Sequence, residues 1–309
     1  MNSRRPPVMT EPPHRNLVIV MAGDGSLHET YARDRDFELW VCYWGRDPAV
    51  AERFRNSCDH LWQLTGEKWS LMRQVAFQAR REGLPRFSAY DYVFLPDDDI
   101  LIPEGAAAVS RLFAIARGIN ADIVQPAIAN EHVSPGHEPT RRNTASLMRA
   151  TNIVEIMMPA FAGRIVEACL LPILHVHPHV RAGWGLEPLL QRMTEALFGR
   201  TPRTFIIDAI EAHHTRPVGQ GSGSHALGWD EAFMNPLAGA IPTVELAGFG
   251  NMDDAAAFVF PPSNTYLNRP RLGKHLADVR LARLIVEALR KNTPASRSLR
   301  QLVQQVIGG

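Results

Sequence analysis

Short, uninterrupted apolar runs alternate along this chain with stretches whose apolar residues recur every three or four positions, and that alternation sets the expected fold. Leu17 to Met21 (LVIVM) is a continuous apolar run passing into AGDGS, a buried strand that leads to a glycine turn. Phe37 to Tyr43 (FELWVCY) predicts a second strand, ended by Gly45. Between Glu67 and Glu82 the residues Leu71, Met72, Val75 and Ala79 fall at helical spacing. Tyr90 to Leu95 follows as a strand. Pro103 then opens a helix with Val109, Leu112, Phe113 and Ala116 as its apolar stripe and Gly118 as its stop. Asp122 to Ile128 (DIVQPAI) resumes extended structure.

In the second half, residues 152–159 (NIVEIMMP) predict a strand and residues 160–171 a helix. Another helix follows Pro188, with Leu189, Leu190, Met193 and Leu197 on one face, and Thr204 to Ile210 (TFIIDAI) is the last clear strand. Gly219 to Ser224 (GQGSGS) reads as a linker or a lid, and residues 276–289 as an amphipathic helix, whereas residues 229–269 carry no firm pattern. This order predicts an α/β fold, a mainly parallel doubly wound sheet flanked by helices. The expected divisions are a disordered lead over 1–15, the α/β domain over 16–218, and a flexible loop with a partly helical C-terminal extension over 219–309.

The chemistry concentrates where the strand of YDYVFLPDDDI runs out. Pro96 stops it, and Asp97, Asp98 and Asp99 follow in immediate succession. Three adjacent like charges favour a bound divalent cation or a basic partner, and an all-oxygen set suits Mg²⁺ or Mn²⁺. In a doubly wound sheet ligands bind outside the carboxyl ends of the strands, so Ala22, Gly23 and Asp24 of the first turn share a rim with the three acids. A glycine turn beside a metal site suits a nucleotide diphosphate. The turn has neither GxGxxG nor GxxxxGK[ST], so it is neither a dinucleotide fingerprint nor a P-loop. Asp24 is placed to bond base or ribose, and Lys68 and Arg73, at and beyond a helix start, to neutralise the phosphates. Glu187, at or just ahead of a helix N-terminus before Pro188, is favoured in its ionised form and suits a general base. Gly183 and Gly185 permit close backbone approach to a sugar, and Trp184 offers an aromatic face for stacking.

Composition narrows the partners. With 33 Lys and Arg against 32 Asp and Glu, the net charge of +1 supplies no general field for nucleic acid or an anionic membrane. The most apolar long stretch, residues 152–174, is broken by Glu155, Arg164 and Glu167, so no membrane span is expected, and the first 15 residues do not read as a signal peptide. Cys42, Cys58 and Cys169 are scattered and odd in number, which fits packing roles in a reducing, cytoplasmic setting rather than a zinc site.

Four segments taken in order carry a resemblance: YDYVFLPDDDI, VEIMMPAF (154–161), GWGLE (183–187) and IIDAIEAHHTRPVG (206–219). The D-x-D formed by Asp97 and Asp99 resembles that of GT-A glycosyltransferases, and the four segments together look like the family catalogued as domain of unknown function 707, over roughly residues 16–219. The resemblance implies a GT-A fold and a metal-dependent transfer of sugar from a nucleotide-sugar donor to a hydroxyl acceptor, a glycan or glycoconjugate. It also implies direct metal coordination by Asp99, with Asp97 acting through water or on sugar or ribose hydroxyls, and His214, more than His213, completing the metal shell; Asp98, which extended geometry would turn to the other side, reads as a supporting group of the cofactor site. The competing readings are a nucleotide-sugar or glycan-binding protein without turnover and a sugar nucleotidyltransferase. AGDGSLH lacks the arginine that the nucleotidyltransferase signature requires.

Overall fold

Two strands buried from end to end lie toward one edge of the sheet: β1 (Asn16–Ala22) and β2 (Glu38–Tyr43). Both faces of each are covered, which is why they read as unbroken apolar runs. A computed structural model describes residues 12–133, 137–176, 180, 183, 186–216 and 243–262. β1 pairs in parallel with β2 and with β4 (Tyr92–Phe94), and β2 pairs in parallel with β3 (His60–Gln63). The remaining strands are β5 (Ile100–Leu101), β6 (Ile123–Ile128), β7 (Met148–Thr151), β8 (Ala160–Ala162), β9 (Thr204–His214) and β10 (Glu245–Phe249). The sheet order is β10-β7-β9-β6-β8-β4-β1-β2-β3, with β5 paired to β9 off this path. Along it only β7 and β8 run against the rest, so the sheet is mixed but mostly parallel. The α/β class expected from the alternation is the one observed.

The helices are α1 (Pro48–Arg55), α2 (Lys68–Glu82), α3 (Gly105–Gly118), α4 (Gly163–Ile165), α5 (Leu171–Val176), α6 (Leu186–Phe198) and α7 (Met252–Ala257). A π-helical turn, Val166–Leu170, joins α4 to α5. Its Glu167 is buried and accepts from Arg80 at 2.8 Å and from the Phe87 amide at 3.2 Å. Asp208 on β9 binds Arg149 on β7 through two 2.8 Å hydrogen bonds, a buried fork that fixes those strands together. Among the described residues no helix is long and apolar enough to cross a membrane.

Several local expectations are corrected. Residues 152–159 form no strand; they turn, and the strands lie on either side as β7 and β8. The reason is that the carbonyls of Ile156, Met157 and Pro159 are committed to Lys68, Asp97 and Leu95 rather than to a regular ladder. The following helix starts at Gly163 because Ala160–Ala162 fill the slot between β4 and β6. Gly118 is the last helical residue of α3 and the left-handed position falls at Asn120, φ 48°. TFIIDAI continues to His214, so both histidines are strand residues, and β10 follows in a stretch that carried no firm pattern. α1 and β3 had no strong sequence signal; α1 is started by Asp47, whose side chain accepts from the Ala49 amide at 2.8 Å, with Pro48 at the first helical position. The expected glycine-serine segment and the helix at 276–289 lie outside the described residues.

Two buried histidines make the fold acid-sensitive. His28 and His137 are each lowered to about 4, both chiefly by burial, with Arg53 adding to the effect at His28 and Glu138 opposing it at His137. Their stabilisation is complete above the unfolded value near 6.5 and is lost as pH falls from there through about 4, because the unfolded chain takes up protons that the fold excludes. The unfolding free energy measured by urea titration is expected to fall across that window by up to about 3 kcal/mol per histidine. A double His28→Gln, His137→Gln variant is expected to show a flatter profile from pH 6.5 to 4; an unchanged slope would mean that neither group titrates there.

Candidate active site

The loop after β4 is pinned by its backbone before any side chain is considered. The Asp97 amide donates to the Met157 carbonyl at 2.8 Å, the Asp98 carbonyl accepts from the Leu27 amide at 2.8 Å, and the Asp99 carbonyl accepts from the Thr215 amide at 3.0 Å and hydroxyl at 2.8 Å. These contacts hold three consecutive carboxylates at the carboxyl end of the parallel strands, beside the turn that follows β1. From that base the three side chains leave in three directions.

Asp97 meets the Lys68 ammonium at 2.6 Å. Lys68 also donates to the carbonyls of Ile156 at 2.7 Å and Met157 at 2.8 Å, so its three N–H donors are all used. Burial pushes the Lys68 ammonium down and the Asp97 carboxyl up, each opposed by the charge of the other. Asp98 instead accepts the Gly23 amide at 2.8 Å. A Cβ at Gly23 would lie 2.4 Å from the Trp44 ring and 3.0 Å from Asp98 Oδ2, so only glycine lets the turn close on both. Burial, with Asp99 and Asp97 adding, pushes Asp98 up to about 6 against the Gly23 amide and Arg216.

Asp99 Oδ2 faces His214 Nε2 at 3.4 Å. The antiparallel β5–β9 pairing brings them together by placing Ile100 opposite His214. His214 Nδ1 lies 3.2 Å from the His132 carbonyl, which orients the ring and directs Nε2 at the carboxylate. Burial works against both charges, but the hydrogen bond and attraction between them prevail, lowering Asp99 and raising His214. An imidazole nitrogen and a carboxylate oxygen so presented fit two positions of a divalent cation's shell. Among the described residues no three His, Cys, Asp or Glu side chains converge on one point, because Asp97 is turned to Lys68.

The other expected residues divide. Ala22 ends β1, and Asp24 stands exposed in the turn, its Oδ1 receiving the Tyr43 hydroxyl. Lys68, expected to face a diphosphate, is committed to the protein itself. Arg73 lies five residues further along α2, on the face shared with Trp69 and Arg80, and takes no part in the ion pairs of the three aspartates. Glu187 sits in the first turn of α6 and lines a narrow, largely apolar cleft with Ile156, Pro159, Phe161, Leu190 and Gln191. Ile156 joins this cleft to the aspartates, since its carbonyl receives Lys68. Gly183 packs against Trp69, where a Cβ would come within 2.0 Å of the indole nitrogen. Trp184 and Gly185 lie outside the described residues.

Two residues of the site escaped the sequence reading. Tyr31 is buried, its hydroxyl without a hydrogen-bond partner among the described residues, and burial together with the charges of Asp98 and Asp97 raises its pKa. Arg216 places its guanidinium 3.7 Å from Asp98 and 4.0 Å from Asp99. Its sequence signal is an arginine two positions beyond the histidine pair.

No protein-family model matches this sequence, and no curated protein matches it, so the likeness to the domain of unknown function 707 family stands on the quoted segments alone. Solved structures do resemble the fold at a distance. TarS residues 1–349 from S. aureus is 13% identical with a TM-score of 0.41, the match covering 65% of this chain and 60% of that one; this chain therefore spans less than two thirds of it. The same protein in complex with UDP is 12% identical over 95% of this chain and 82% of that one, at a TM-score of 0.41. Glucosyl-3-phosphoglycerate synthase from Mycobacterium tuberculosis, in complex with Mn²⁺, UDP and glucosyl-3-phosphoglycerate, is 13% identical over 53% and 66% of the two chains, at a TM-score of 0.33. Superposition this loose identifies neither an activity nor a ligand.

The clasp made by Lys68 is open to a direct test. Lys68→Met removes the countercharge of Asp97 and the donor to two carbonyls, and is expected to cost about 2 kcal/mol in urea unfolding. A double-mutant cycle with Asp97→Asn is expected to return a coupling of about 1 kcal/mol. A cost within about 0.5 kcal/mol of zero would show that Lys68 holds nothing in place.

Proposed function

We propose that this protein is a metal-dependent glycosyltransferase of the GT-A type, moving a sugar from a nucleotide-sugar donor to a hydroxyl acceptor. The observation that carries the reading is the meeting at 3.4 Å of Asp99, in the turn before β5, with His214 of β9, far apart in the chain, beside a glycine turn at the carboxyl end of a mostly parallel sheet. Crevices outside the carboxyl ends of such strands are where ligands of these sheets bind. Asp99 and His214 are the residues that would hold Mg²⁺ or Mn²⁺. A divalent ion held there would neutralise charge on the departing diphosphate.

The chain's own groups supply the rest. The acceptor oxygen bonds to the anomeric carbon, the bond from that carbon to the diphosphate oxygen breaks, and the acceptor proton passes to a base. Glu187 is that base; its position in the first helical turn of α6 favours the ionised carboxylate. Asp97, fixed by Lys68, presents its remaining oxygen toward sugar or ribose hydroxyls. Asp24 has one carboxylate oxygen held by Tyr43, leaving the other for the donor's base or ribose. Asp98 holds the turn closed through Gly23 and shapes the floor of the site.

Calorimetric titration of nucleoside diphosphates and nucleotide sugars, with Mn²⁺, with Mg²⁺ and with chelator, tests the reading. Metal-dependent binding of one nucleotide family is expected, weakened at least tenfold in Asp99→Ala and in His214→Ala. Glu187→Gln is expected to keep donor binding while losing transfer by about 100-fold or more. If Glu187→Gln transfers normally, another group is the base. If no nucleotide binds with either ion, the transferase reading fails.

A further inference from the structure

Around the aspartates the described residues supply three cationic side chains, and they differ in how far each is committed. Lys68 has given all its donors to Asp97, Ile156 and Met157. His214 is held between Asp99 and the His132 carbonyl. Arg216 is different: its contacts to Asp98 and Asp99, at 3.7 and 4.0 Å, are longer than hydrogen bonds, and its side chain is 42% exposed. The two carboxylates already have closer partners in the Gly23 amide and His214.

The base of Arg216 is nonetheless rigid. Its neighbour Thr215 clamps the Asp99 carbonyl with both amide and hydroxyl, so the arginine is anchored to the acid loop at its root and uncommitted at its head. That head lies across the open side of the turn after β1, with Nη2 3.8 Å from the point that a Cβ on Gly25 would occupy. A fork of N–H donors poised over a glycine turn matches the oxygens of a diphosphate, which a guanidinium binds in bidentate fashion.

Resting on the nucleotide-sugar reading, we propose that Arg216 binds the diphosphate of the donor and its leaving group, a task for which Lys68 has no donor left. The guanidinium neutralises part of the leaving charge from the side of the glycine turn. Its positive charge near Asp99 opposes rather than assists a second cation, so it is not needed for metal binding.

Inorganic pyrophosphate, which has the phosphates but no base or sugar, isolates this contact. Calorimetry of the full chain with Mg²⁺ alone, and with pyrophosphate in Mg²⁺ or in chelator, is to be run on wild type, Arg216→Gln and Arg216→Lys. The expected result is a loss of tenfold or more in pyrophosphate affinity for Arg216→Gln, an intermediate loss for Arg216→Lys, and Mg²⁺ affinity that is unchanged or tighter in both. Pyrophosphate binding in Arg216→Gln equal to wild type would overturn the assignment while leaving the donor site standing. A parallel loss of Mg²⁺ and pyrophosphate would also overturn it, by showing that Arg216 shapes the site rather than binds the anion. Failure of the wild type to bind either probe would remove the donor-site reading and this one together.

Discussion

Three carboxylates at consecutive positions in a largely buried loop repel one another, and the fold resolves the repulsion by giving each its own counterpart. Asp97 is paired with the ammonium at the start of α2, Asp98 accepts an amide of the turn after β1 with Arg216 nearby, and Asp99 faces the imidazole at the end of β9. No single cation is shared by all three. The acid loop therefore becomes the point where α2, the first turn and the last residues of β9 are drawn to one place.

That convergence depends on tertiary contacts of long range. The Gly23 amide and Asp98 are 75 positions apart, and the Thr215 hydroxyl and the Asp99 carbonyl are 116 apart. The two-residue strand β5 is too short to be stable alone, and it forms because β9 runs long enough to reach it. The extension of β9 past Ile210 is thus the structural cause of the Asp99–His214 pair. Residues 153–159 play the corresponding part on the other side, giving up strand geometry so that their carbonyls can receive Lys68 and the Asp97 amide.

The elements legible in the sequence are those buried on both faces or carrying a full apolar stripe. β1, β2, β6, α2 and α3 fall where the hydrophobic pattern put them, because burial on both sides forces an unbroken apolar run and burial on one side of a helix forces a 3.6-residue period. β3 is half-buried, β10 lies at the sheet edge with exposed positions, and β7 and β8 are only four and three residues long, so none imposes a readable pattern. IVEIMMP misled because apolar residues in a buried loop have the same composition as a buried strand. Its hydrogen-bonding partners, not its hydrophobicity, decide the difference.

At the site, residue types were readable and roles were not. The acidic run after a buried strand, the glycine turn after β1 and the late histidine pair are local features, and the sequence alone determined that these chemistries exist and that the first two share a rim. Which cation answers which carboxylate was decided only by the tertiary structure: Lys68 is consumed internally, Arg216 stands uncommitted, and Asp97 is drawn away from Asp99 and His214. The physical reason is that periodicity records which face of an element is buried, a property each segment expresses by itself. Ion pairing depends on distances of a few ångströms between side chains brought together from distant parts of the chain, and no local pattern records those distances.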